Sequence, residues 1–229
     1  KKNPWIKMTQ IDQGTIQYRD EVVRKTIHLF SLSIPILYFY LTKQQALYIL
    51  FPLTLLSIVL DVGRYFYPKL GSVFYFIFGF MLRKHEMDHK KRNLNGATYV
   101  LVSALICVLI LPKVFFLTAF SVLILSDSSA ALIGRKFGKH KFLFKSLEGT
   151  LAFFVSACLV VLFAPKVAHL QAEYIIGFVA VAVGAIAENI SYGWADDNLT
   201  IPLSIGLMMW ILYAIFLPHL NLLLPNAPV

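Results

Sequence analysis

The chain has 229 residues, 58% of them hydrophobic and 14% charged, with a formal net charge of +9. Soluble domains carry about 25% charged residues, so this composition excludes an ordinary water-soluble globule and reads as an integral membrane protein. The basic surplus suits anionic lipid headgroups or a polyphosphate, and nothing in its arrangement points to nucleic-acid reading.

In chain order, the first run free of Asp, Glu, Lys and Arg is Thr26 to Thr42. Just before it, Arg24 and Lys25 read as a headgroup anchor, with Arg24 and His28 on one helix face at spacing four. A second run, Gln44 to Leu60, ends at Asp61. The next apolar segment, Gly71 to Leu82, is too short for the roughly 20 residues a crossing helix needs. The basic stretch Arg83 to Asn93 follows; its His85, Glu86, Asp88 and His89 match metal-ligand spacing only loosely. Five further spans are expected: Leu94 to Pro112, Val114 to Gly134, Gly149 to Pro165, Tyr174 to Ala195, and Leu199 to the end. Cys107 and Cys158 fall inside spans and predict neither a disulfide framework nor a zinc site.

Orientation follows from the basic residues. If Gly71 to Leu82 does not cross, Lys and Arg divide 18 to 3 between the two sides, as the positive-inside rule requires. If it crosses, every later loop changes sides and the bias nearly vanishes. The expected architecture is therefore all-α: seven transmembrane helices plus one short re-entrant or interfacial helix, in a single catalytic domain over residues 1–229. The N-terminus is cytoplasmic and the C-terminus lies on the opposite side.

In this topology the acids collect at the cytoplasmic face. Asp127 sits in a span seven residues before Gly134, Glu188 lies near the end of another span, and Asp196, Asp197 and Asn198 form a short loop. Charges inside apolar helices need a partner or a wet cavity, so a shallow cytoplasm-facing cavity is expected. Asp127 shares its helix face with Ala130, Ala131 and Gly134, small residues that permit close approach. Asn198 is a candidate cap for the last helix.

The loop after Asp127 runs Gly134-Arg135-Lys136-Phe137-Gly138-Lys139, then Lys141 and Lys145-Ser146-Leu147-Glu148-Gly149-Thr150. A basic cytoplasmic loop can be purely topogenic. Its glycines, however, free backbone N–H groups to approach an anion, and Ser146 can cap a helix start that favours negative charge. An acid stands at each end, so a divalent cation can be held beside phosphates bound by Lys and Arg. The spacing is not that of a Walker A loop.

Five blocks together resemble the CTP-dependent lipid kinases, a group that includes dolichol kinase, phytol kinase and CTP-dependent diacylglycerol kinase. They are Arg24-Lys25 with His28, "LNGATYVL" from Leu94, "SDSSAALIGRKFGK" from Ser126, "KSLEGT" from Lys145 and "DNLTIP" from Asp197. The group is itself distantly similar to phosphatidate cytidylyltransferase. The resemblance implies a polytopic enzyme that uses CTP and a divalent cation, Mg²⁺ by preference, on a membrane lipid alcohol. It places Asp127 in the acid-plus-glycine block, Lys145, Glu148 and Gly149 in the "KSxEG" block, and Asp197 with Asn198 in the "DNLTIP" block. Ser126 departs from the group, which often has Gly before the acid.

The resulting expectation gives Asp127, with Glu148 or Asp197, to the metal. Arg135, Lys139 and Lys145, with Gly134, Gly138, Ser146, Gly149 and Asn198, take the nucleotide phosphates, and Glu188 or Asp197 is the candidate base. The alternatives are a cytidylyltransferase, in which a lipid phosphate attacks the α-phosphate of CTP, and a membrane transporter. The sequence leaves the particular lipid and the oligomeric state open.

Overall fold

Local chemistry sets most helix boundaries in the computed structural model, which describes residues 18–79, 94–191 and 196–228. α1 (Tyr18–Leu29) and α2 (Ser33–Tyr40) are joined by a single 3-10 turn, Phe30–Leu32. Pro35 has no N–H to offer the Ser31 carbonyl in the α-helical pattern, which favours that tighter turn. α3 (Lys43–Phe66) starts with a capping box between Thr42 and Gln45, and α4 (Pro68–Phe78) starts on a proline. Asn95 caps α5 (Gly96–Ile110) by accepting from the Thr98 N–H. α6 (Lys113–Phe137) is followed by a two-residue hairpin, β1 (Lys141–Phe142) with β2 (Lys145–Ser146). α7 (Leu147–Phe163), α8 (Gln171–Ile190) and α9 (Asp197–Phe216) complete the helices among the described residues.

The fold is helical, and among the described residues the hairpin is the one departure from the all-α expectation. Among the described residues, five stretches are long and apolar enough to cross a membrane: Tyr18–Tyr40, Lys43–Phe66, Lys113–Phe137, Gln171–Ile190 and Asp197–Phe216. α5 and α7, at 15 and 17 residues, are shorter. The basic stretch Arg83 to Asn93 with its His and acid residues lies outside the described residues, as do residues 80–82 and 192–195 of two expected apolar segments.

α6 is the axis of the fold. Its Phe115, Phe116, Phe120, Leu123 and Ile124 have no exposed surface, and it packs against α1, α2, α5, α7 and α9. Around it, glycines let backbones come close: a Cβ at Gly177 would stand 2.5 Å from Val161 of α7, and one at Gly184 2.5 Å from Ile205 of α9. The outward faces stay apolar, with Tyr48 and Phe51 of α3 exposed to 71% and 60%, as suits a hydrocarbon surround.

The helices share two ends. At one, Lys43 Nζ donates to the Leu109 carbonyl at 2.8 Å and Lys113 Nζ to the Leu41 carbonyl at 2.7 Å. At the other, the Asn95 N–H donates to Asp61 Oδ2 at 2.6 Å, so α5 begins at the end where α3 stops. The chain through α4 thus returns to the end it left.

Candidate active site

The first turns of α1 bring Glu21, Arg24, Lys25 and His28 onto one face, at spacings of three, four and seven. That face docks on the C-terminal half of α6 through two ion pairs. Glu21 accepts from Arg24 at 2.5 Å and from Arg135 at 2.9 Å, and Lys25 pairs with Asp127. Lys25 and Asp127 are 3% and 4% exposed, so each neutralises a charge that burial alone would forbid. His28 Nε2 lies 3.8 Å from Asp127 Oδ2. Arg24, Lys25 and His28 are therefore part of the polar centre, and the expectation that they simply anchor the chain to headgroups is corrected.

A second group forms around Lys145. The hairpin pairs Phe142 with Lys145 and Lys141 with Ser146, and Asn189 of α8 fixes it by accepting from the Phe144 and Lys145 N–H groups at 2.9 and 3.3 Å. Asn189 also donates to Thr150 Oγ1 at 2.7 Å. Lys145 Nζ thereby reaches Glu188 Oε1 at 2.5 Å and comes within 4.0 Å of Asp197 Oδ2. Burial opposes charge on this amine, but Glu188 first and Asp197 next outweigh it and raise its pKa above that of a free lysine. Asp196, rather than Asn198, caps α9: its Oδ1 accepts from the Asn198 N–H at 2.9 Å and from the Asn198 side chain at 2.7 Å.

The first group and Asp197 of the second share a cavity of about 250 Å³ whose polar lining includes Arg24, Lys25, His28, Asp127, Asp197 and Asn198, while Lys145 and Glu188 lie outside its wall. Three buried polar atoms, His28 Nε2 in its wall and Ser126 Oγ and Glu188 Oε2 outside it, have no hydrogen-bond partner among the described residues. Such atoms mark where a further polar group would be satisfied.

Other expected site residues fall elsewhere. Glu148 binds its own loop, accepting from the His140 N–H at 3.2 Å and meeting His140 Nδ1 at 2.7 Å. It is not in the cavity wall, and among the described residues no three His, Cys, Asp or Glu side chains gather to hold a cation. The structure does not bring Asp127, Glu148 and Asp197 together, because the α6–α7 turn places Glu148 at the level of Gly134, about 10 Å of helix from Asp127.

The glycines also differ from expectation. The Gly138 N–H donates to the Gly134 carbonyl at 3.0 Å and the Gly149 N–H to Ser146 Oγ at 3.2 Å. A Cβ on Gly134 would lie 3.2 Å from Gly149 Cα, so the pair lets α6 and α7 touch. Ser146 does cap α7. Lys139 is exposed and outside the cavity wall, and Arg135 is engaged by Glu21. Glu21 and Asn189 escaped the sequence reading. Each is a polar side chain beside or within an apolar run, and the partners Arg135 and Phe144 that tie them to the site are 114 and 45 residues away.

No family model matches the chain, and no solved structure matches it. It is 29% identical over 167 residues to the CTP-dependent diacylglycerol kinase 1 of Schizosaccharomyces pombe, covering 66% of this chain and 74% of that one. To the Saccharomyces cerevisiae protein of the same name it is 26% identical over 223 residues, covering 86% and 74%. An uncharacterised protein of Rickettsia prowazekii is 28% identical over 189 residues, covering 80% and 90%. The chain is thus distantly similar to CTP-dependent lipid kinases.

Proposed function

We infer that this chain is a CTP-dependent kinase that phosphorylates the hydroxyl of a membrane lipid alcohol, of the diacylglycerol type its yeast relatives are named for. The observation that carries the reading is the cavity at one end of the helices, where Asp127 and Asp197 share a wall with Arg24 and Lys25. In this reading seven helices cross the bilayer and α4 does not. The cavity faces the cytoplasm, where a nucleotide is available, and the C-terminus lies opposite.

The residues present fit a magnesium ion brought in with the nucleotide. Mg²⁺ takes one or two carboxylates and completes its shell with phosphate oxygens and water, and Asp127 and Asp197 are two acids on one cavity wall. When bound, the ion supplies neutralisation between the phosphates of CTP.

The chain's own side chains do the rest. Lys25 pairs with the buried Asp127 carboxylate and holds it at the cavity. Arg24, Lys25 and Lys145 place positive charge where a γ-phosphate would carry its developing negative charge, the kind of positioning on which phosphoryl transfer chiefly depends. Asp197, its side chain 13% exposed at the cavity, and Glu188, with its unbonded Oε2, are the acids available to accept the proton of the lipid hydroxyl.

Incubating the detergent-purified chain with Mg²⁺, mixed lipids and CTP labelled on either the α- or the γ-phosphate tests this directly. Transfer of the γ-label to lipid is expected. Transfer of the α-label instead would make the chain a cytidylyltransferase, and transfer of neither would remove the enzyme reading.

A further inference from the structure

The cavity wall is polar in part and apolar in part. Besides the charged wall it is lined by Ile27 of α1 and Leu60 of α3, each 41% exposed, and by Phe74 of α4. A wall that includes both half-exposed apolar residues and the buried Asp127 connects the bilayer to the charged centre. It does so between α1, which packs on α6, and α3, which packs on α4 and α5.

Two hydroxyls stand along this route. Ser31 lies in the 3-10 turn, six residues or about 9 Å of helix deeper than Lys25. It lines the cavity and forms no side-chain hydrogen bond among the described residues. Ser57 of α3 also lines the cavity and pairs with the fully buried Thr98 hydroxyl at 2.7 Å. With Thr98 as donor, the Ser57 proton is left for an acceptor inside the cavity.

We propose that the lipid alcohol enters this cavity sideways from the bilayer between α1 and α3, and that Ser31 and Ser57 hydrogen-bond the ester carbonyls beside its hydroxyl, selecting a diacylglycerol over an isoprenoid alcohol. This rests on the lipid-kinase reading above. A glycerolipid carries carbonyl acceptors a few bonds from the reacting hydroxyl, so its hydroxyl reaches the Asp127 end while the esters meet the serines. Phytol or a polyprenol has no polar atom beyond the hydroxyl and leaves both serines facing hydrocarbon. Sites built to hydrogen-bond a substrate discriminate strongly against analogues that lack the group.

The test compares diacylglycerol, its diether analogue and phytol as acceptors of γ-label in mixed micelles. The unaltered chain is expected to favour diacylglycerol by about tenfold or more in kcat/KM, and Ser31→Ala with Ser57→Ala to narrow that preference to within about threefold. An unaltered chain indifferent to the esters, or a preference unchanged in the double variant, overturns the proposal. If no lipid accepts γ-label, the kinase reading has failed, and the entrance is judged separately by photo-crosslinking. A diacylglycerol with a diazirine near its glycerol end should label Ile27 and Leu60 of the unaltered chain. Labelling spread over the outer face of α3, with none at those two residues, would overturn the entrance as well.

Discussion

Lys25 and Asp127 neutralise each other at a depth where neither charge is stable alone. Removing one partner of such a pair costs about 3–5 kcal/mol, whereas replacing both with apolar groups of similar volume is often neutral. This separates the structural role of Asp127 from its chemical one. Asp127→Leu alone should destabilise the protein in detergent by about 3 kcal/mol or more, with loss of γ-phosphoryl transfer. Asp127→Leu combined with Lys25→Met should recover most of the melting temperature and none of the activity. A double variant that is stable and active would show that the pair only holds α1 on α6. Asp127 was legible in the sequence because an acid in an apolar helix demands a reason; its partner was not. Lys25 sits among headgroup-level charges, and no helical spacing connects it to a residue 102 positions away.

At the scale of elements, the α6–α7 turn decides which side chains reach the cavity, and its glycines set how closely the two helices approach. A Cβ on Gly149 would lie 3.1 Å from the Ala130 carbonyl and 3.2 Å from Gly134 Cα, both backbone atoms that cannot swing away. Gly149→Ala should therefore cost about 1–3 kcal/mol as overpacking, and Gly149→Val more. Both should lower the thermal midpoint in detergent, and since Lys145 is carried on the same turn, activity should fall with them. A Gly149→Val protein as stable as the original would mean that the seam opens freely. The same turn shows what hydropathy can and cannot reveal. The apolar segments found in the sequence recur as helices, and Ser146 signals a helix start from residue type alone. The apolar run is not the helix, however: Leu111 and Pro112 extend the run beyond α5, which stops at Ile110. Likewise, glycines at a loop look the same in sequence whether or not they seat a neighbouring helix, and only the structure shows the contact between Gly134 and Gly149.

For the whole molecule, the ends of the helices bear on a question of parity. Lys43 and Lys113 bond carbonyls across the end opposite the cavity, while Asp61 and Asn95 meet at the cavity end. If α4 stays at one face, Lys43 and Lys139 lie on opposite sides of the membrane; if it crosses, every later loop changes sides and the two lie together. Charge favours the first arrangement, since it alone puts 18 of the 21 basic residues on one side. The energetics agree, because α4 has 11 residues and rises about 16 Å, roughly half of a 30 Å hydrocarbon core. Single cysteines at Lys43 and Lys139 make the test, in a background where Cys158 is replaced and the fully buried Cys107 is kept. In sealed right-side-out vesicles a membrane-impermeant maleimide should label Lys43→Cys and spare Lys139→Cys, with the pattern reversed in inverted vesicles. Labelling of both from the same side would make α4 a crossing helix and move the α6–α7 turn to the opposite face from the N-terminus. The charged cavity would then be divided between the two sides, and a cytoplasmic nucleotide could not meet Lys25 and Lys145 at once.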